Sequence, residues 1–187
     1  MSATAARRLA LIVAAAAALA VLGPPISRQR ARRAALDAET ARWIARSREV
    51  YLLLDPDLGD LRVRAQPVRL ATGLWFSTDC YLPERGFVGS CWWDPRTNRL
   101  DMMSFRPARH EERRGVPLDA RDARAAALRW ATLLGAMRSD ETWVEASQPD
   151  LVRDQWALRF RWDGRTAFVL LDAWSGKPRM MRVSRAR

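Results

Sequence analysis

The chain has 187 residues, 49% of them hydrophobic and nine of them tryptophan, which is enough for one ordinary domain or two small ones sharing a core and excludes wholesale disorder. Its formal charge is +11, yet among 32 Lys and Arg residues Lys177 is the sole lysine. The arginines run along the whole chain among Asp and Glu, the pattern of a solvated basic surface as well as of a lipid or nucleic-acid patch, and no ribonucleoprotein-type signature accompanies them.

At the N-terminus, Arg7 and Arg8 precede the apolar run Leu9–Leu22, which ends at Gly23-Pro24-Pro25. A charged start, an apolar middle and a helix-breaking end form the layout of an export signal. No charge falls between Leu9 and Ser27, a stretch close to the roughly 20 residues that span a bilayer. Ala18-Leu19-Ala20 offers a cleavage site, but the length favours a retained signal-anchor over residues 1–27 with the domain outside the cytoplasm. The basic stalk of residues 28–35, with Arg28, Arg30, Arg32 and Arg33, argues the opposite way, because the positive flank normally stays in the cytoplasm.

A helix is predicted from Leu36-Asp37-Ala38, with Asp37 as N-cap and Ala41, Ile44 and Ala45 opening an apolar stripe. The loop 55–60 ends it; its acidic residues resemble the start of a calcium loop, but Gln66 stands where the closing glutamate belongs. Strand-like runs follow at 61–65, 68–76, 87–93 and 100–105. If Arg85-Gly86 is a hairpin turn, Cys80 lands opposite Cys91, and a cross-strand disulfide becomes available in an oxidising compartment; two reduced buried thiols are the other reading. A zinc site from these cysteines and His110 lacks a fourth ligand. Residues 107–117 read as a charged linker, in which His110 beside Glu111 and Glu112 makes neither a dyad nor a metalloprotease motif.

In the second half Asp119 caps a helix whose apolar residues, Ala123, Ala126, Ala127, Trp130, Ala131 and Leu134, share one face, with Gly135 as C-terminal stop. Trp156–Trp162 then alternates with period two up to Asp163-Gly164, a two-residue hairpin turn. The register that follows pairs Phe160 with Ala167, Leu158 with Val169 and Trp156 with Leu171. A three-residue turn at Ser175-Gly176-Lys177 sets Leu171 against Met181 and Val169 against Val183.

The halves match one another. Leu36-Asp37-Ala38 recurs as Leu118-Asp119-Ala120, Trp75 as Trp156, Phe87-Val88 as Phe168-Val169 and Met102-Met103 as Met180-Met181, with the last offset shorter, as if the turn 94–99 were longer than its counterpart. The expected fold is therefore α+β: two repeats of a helix plus antiparallel hairpins, over 36–106 and 118–187, with the helices packed on a sheet and an N-terminal hydrophobic helix ahead of them. The segment 118–184, closing on Asp172-Ala173-Trp174-Ser175-Gly176-Lys177, resembles the PepSY family; residues 36–105 fit loosely, with Asp94-Pro95-Arg96-Thr97-Asn98-Arg99 in place of that turn. The resemblance implies a cystatin-like fold in an exported or membrane-anchored bacterial protein that regulates peptidases or assists hydrolase maturation.

Nothing in the chain reads as a nucleophile elbow or a glycine-rich phosphate loop, and Asp119 and Asp122 are explained by capping. Accordingly no catalytic, cofactor or metal residue is assigned. The functional expectation is a non-catalytic, membrane-anchored extracytoplasmic module with a protein partner in the cell envelope. Trp92 and Trp93 are the candidate partner-binding residues, since neighbours on a strand point to opposite faces. The alternative is a cytoplasm-facing, Arg-rich binder of anionic lipid or nucleic acid.

Overall fold

A computed structural model describes residues 3–107 and 116–185 of the chain, and the side chains among them except those of 3–26, 145–148 and 185. The elements are α1 (Ala3–Leu54), β1 (Arg62–Leu70), β2 (Gly73–Leu82), β3 (Gly86–Asp94), β4 (Arg99–Phe105), α2 (Ala120–Leu133), β5 (Val144–Val152), β6 (Gln155–Trp162), β7 (Arg165–Asp172) and β8 (Pro178–Arg185). Met1–Glu39 and Thr40–Arg187 are two separate compact units. Of the first, residues 27–38 are helical and exposed. The apolar run assigned to an anchor has its side chains outside the described residues; among those described, no helix is long and apolar enough to cross a membrane.

The second unit is built on one eight-stranded antiparallel sheet in the order β1-β2-β3-β4-β8-β7-β6-β5. A helix followed by a four-stranded meander thus occurs twice, and the meanders meet last strand to last strand. That seam is short: Met102 pairs with Arg182, Met103 with Met181 and Ser104 with Met180. The outermost strands each carry a proline, Pro67 in β1 and Pro149 in β5.

Alternation along the strands sorts the side chains onto two faces. One register row, Thr78–Cys91–Met103–Met181–Val169–Leu158, crosses six strands with every member buried. Trp43, Ser47, Val50, Tyr51 and Leu54 of α1 cover the first meander on this face, and 80 positions on the buried residues Ala123, Ala127, Trp130, Ala131 and Leu134 mark the same face of α2 and its C-terminal end. α2 starts and stops as its sequence predicts. The Asp119 carboxylate accepts the Asp122 N–H at 2.8 Å, while Gly135 at φ +73° lets its own N–H and that of Ala136 return to the Thr132 and Ala131 carbonyls.

Several expectations are corrected. Asp37 opens no helix: it lies inside α1, because the Ala/Arg-rich residues before it are good helix formers. The run 68–76 is not one strand but the end of β1, a turn at Ala71-Thr72 and the start of β2. Leu171 and Val169 face Pro178 and Met181, not Met181 and Val183, because the β7–β8 turn is longer than three residues, closing with the Asp172 N–H on the Lys177 carbonyl.

That turn also corrects the comparison between halves. Asp94–Arg99 is not the longer one. Asp94 pairs with Arg99 as Asp172 bonds to Lys177, a register shift precedes each turn at the same place (92/93 and 170/171), and Asn98 at φ +57° stands where Gly176 has φ +65°. The extra residues of the first meander lie instead between β2 and β3, where Pro83, Glu84 and Arg85 form the loop and a bulge follows at Cys80/Tyr81. His110, within the 107–117 linker, lies outside the described residues.

Candidate functional site: the open face of the sheet

The face away from the helices carries a second register row, Gln66–Ser77–Trp92–Met102–Arg182–Phe168–Arg159, which crosses seven strands. Trp92 is therefore on the open side and half-buried, as alternation requires. Trp93 is not a surface residue. It has no exposure, stacks on Trp43 at 5.2 Å between ring centroids and donates its indole N–H to Ser47 Oγ at 2.8 Å, so the partner-binding expectation is withdrawn for Trp93.

Around Trp92 the open face forms a concavity of about 430 Å³, walled by Leu70, Trp75, Trp92 and Met102 and rimmed by Arg96, Arg165 and Arg182. Its floor is fixed by turn chemistry. Asp94, almost fully buried, accepts the Arg96 backbone N–H at 3.0 Å and Nε at 3.1 Å, while Arg96 Nη1 reaches back to the Thr72 carbonyl at 2.7 Å. Trp75 Nε1 donates to Thr72 Oγ1 at 3.0 Å, and the Arg96 guanidinium lies 5.9 Å from the Trp75 ring centroid. One arginine thus ties the β1–β2 turn to the β3–β4 turn and orients an aromatic wall. Burial alone would push the Asp94 carboxyl up, but the Arg96 hydrogen bonds outweigh it and hold the group below its usual range; Asp94 in turn raises Arg96. The site is electrostatically mixed, since Asp94 and Asp101 also line it.

Beyond the seam the face is basic. Arg182 and Arg159 are both exposed and flank Phe168 in the row, with the Arg159 guanidinium 5.8 Å from the ring centroid. Arg161, also exposed, follows on the same strand face.

The cysteines sit on the covered side. The β2–β3 loop shifts the register by two, so Cys80 faces Gly89 and Cys91 faces Thr78 instead of each other, and both are free, buried thiols; the cross-strand disulfide is not present. Gly89 leaves room for Tyr51, whose hydroxyl donates to the Ser104 carbonyl at 2.9 Å and lies within hydrogen-bonding reach of both thiols. Burial is the largest cause pushing all three groups upward, Cys91 to about 12. Burial thus favours the protonated thiols, and the thiolate is the reactive form of cysteine.

Sequence reasoning missed the concavity. Its walls come from two turns and from strands of both meanders, and no local pattern signals that Leu70, Trp75, Arg96 and Arg182 converge.

No protein-family profile matches the chain, and no curated protein does. Among solved structures it is similar to the Bacillus megaterium YpeB C-terminal domain, with a TM-score of 0.53 and 8% identity over 72% of this chain and 60% of that one, so it spans less than two thirds of that structure. At this identity the likeness concerns the fold alone, an α+β arrangement with an antiparallel sheet.

Proposed function

We propose that the chain is a non-catalytic binding and regulatory module that meets a protein partner of the cell envelope through the open face of its sheet. The observation that supports this most is the division of the sheet. The α1 residues from Trp43 to Leu54, α2 and the buried row lie on one side, and Trp92, Met102, Phe168 and three exposed arginines are left on the other. A sheet face that keeps aromatic and Arg side chains outside the core has the composition of an interface.

In this reading the apolar run Leu9–Leu22 holds the chain at the membrane with the folded unit outside, and a peptidase is the partner class that the PepSY resemblance points to. The two halves are repeats of one unit. Their matching turns, matching register shifts and helix faces related by 80 positions support a duplication better than the sequence offsets do.

Photo-crosslinking in the host cell tests the reading. A benzoylphenylalanine at Gln66 or Arg161, exposed on the open face, is expected to give a discrete protein adduct, and one at Arg129, exposed on α2, is expected to give none. Adducts confined to lipid or nucleic acid, or arising only from Arg129, would overturn it.

A further inference from the structure

We infer that the open face takes an acidic polypeptide in polyproline-II conformation, with a large apolar side chain in the concavity beside Trp92 and carboxylates at Arg182 and Arg159. This rests on the reading of the open face as an interface and adds the chemistry of what lies on it.

The row geometry sets the spacing. Trp92, Arg182 and Arg159 occupy alternate strands of the row, separated by Met102 and Phe168. Neighbouring strands are about 4.8 Å apart, so each step spans about 9.6 Å. A polyproline-II helix has three residues per turn and rises about 3.1 Å per residue, so side chains at i, i+3 and i+6 project on one side at about 9.3 Å intervals. A β-strand ligand alternates with period two and places its like-facing side chains about 6.6 Å apart, out of step with the row. The matching pattern is apolar-x-x-acidic-x-x-acidic.

The chemistry at each point agrees. The concavity has apolar walls, which suit a large uncharged side chain, and Asp94 and Asp101 offset the arginines of its rim. Arg182 and Arg159 are exposed guanidiniums suited to carboxylates. A single-stranded nucleic acid fits less well, because it needs free aromatic faces for stacking. Arg159 sits over Phe168 and Arg96 over Trp75, so guanidiniums occupy those faces.

The test uses the full chain and a fluorescein-labelled peptide, Phe-Pro-Pro-Glu-Pro-Pro-Glu, read by fluorescence anisotropy. Saturable binding is expected. It should weaken roughly tenfold when the Phe is replaced by Ala, when either Glu is replaced by Gln, or in Arg182→Gln, each losing one anchor or charge-assisted contact. A peptide with the same composition but its Glu residues at the second and fourth positions after Phe should bind as weakly. Trp92→Ala should behave like Arg182→Gln; Arg182 is exposed, so its substitution leaves the fold intact even if loss of Trp92 does not. Equal binding of the respaced peptide, no effect of Arg182→Gln, no binding at millimolar peptide, or tighter binding of an oligothymidylate of equal length would each overturn the inference. Open-face crosslinks to a protein, obtained alongside such a failure, would leave the interface reading standing.

Discussion

Met103 lies directly across the β4–β8 seam from Met181, both without solvent exposure, and each holds the same position in its own meander. Of the three register pairs of the seam this is the one with both members buried, and elsewhere the halves meet where the Leu100 N–H reaches the Gly135 carbonyl and Arg99 pairs with Glu141 at 2.7 Å. Met103→Ala and Met181→Ala should each destabilise by about 2–4 kcal/mol through the cavity they leave. Their effects should not add: a double-mutant cycle in urea should show a coupling of at least about 0.5 kcal/mol. Simple additivity would mean that the seam is not a shared contact.

The chain Trp93 Nε1–H to Ser47 Oγ (2.8 Å), Ser47 to Thr78 Oγ1 (2.7 Å) and Thr78 to the Cys91 carbonyl (3.3 Å) joins α1 to two strands within the core. Ser47→Ala removes the middle link and leaves a buried indole N–H without an acceptor. A loss of about 1–3 kcal/mol is expected in chemical denaturation, although the substitution adds apolar surface to an apolar core.

Gly89→Ala should be among the most damaging single changes in the chain. A Cβ there would meet the Ser104 carbonyl oxygen and, 2.6 Å away, the Tyr51 hydroxyl. Because the first obstacle is backbone, relaxation requires β3 and β4 to part, and a cost above about 2 kcal/mol is expected. Tyr51→Phe, which removes only the hydrogen bond to Ser104, should cost about 1 kcal/mol. Equal effects of the two changes would show that the glycine matters only through the hydroxyl.

Stability should fall with pH on the alkaline side. Unfolded cysteine titrates near 8.5, whereas burial raises Cys91 to about 12 and pushes Cys80 upward as well. A group whose folded pKa is raised contributes stability that is complete below the unfolded value and is lost as pH rises toward the folded one. From pH 8.5 to 10 each thiol should therefore remove up to about 1.4 kcal/mol per pH unit, measured as a falling urea midpoint. The Cys80→Ala/Cys91→Ala chain should show a flatter profile over that window. An unchanged slope would locate the loss elsewhere.

What the sequence showed, and what it hid, follows from how local each signal was. The β6–β7 hairpin was readable residue by residue because Asp163-Gly164 separates two alternating strands, and the observed pairs are those expected. The α2 cap was equally local. Strand β5 escaped notice because it is an outer strand with Pro149 and Asp150 inside it and no clean alternation. The turn at Asp94 was misjudged because Asn98 takes the left-handed position that glycine holds at Gly176. For the site, alternation was enough to send one of two adjacent tryptophans outward. Which one, and what surrounds it, depended on a bulge at 92/93 and on pairing between strands some eighty residues apart.

The position of the seam bears on how the protein behaves at high concentration. A meander of this kind offers its last strand to any other chain with a free edge. Here β4 and β8 take one another, and the edges left over are the strands bearing Pro67 and Pro149, each short of one backbone donor. Extension of the sheet by a further copy would have to begin on one of those interrupted edges. The fold is thus guarded against polymerising strand by strand, and face-to-face contact is the approach it leaves open.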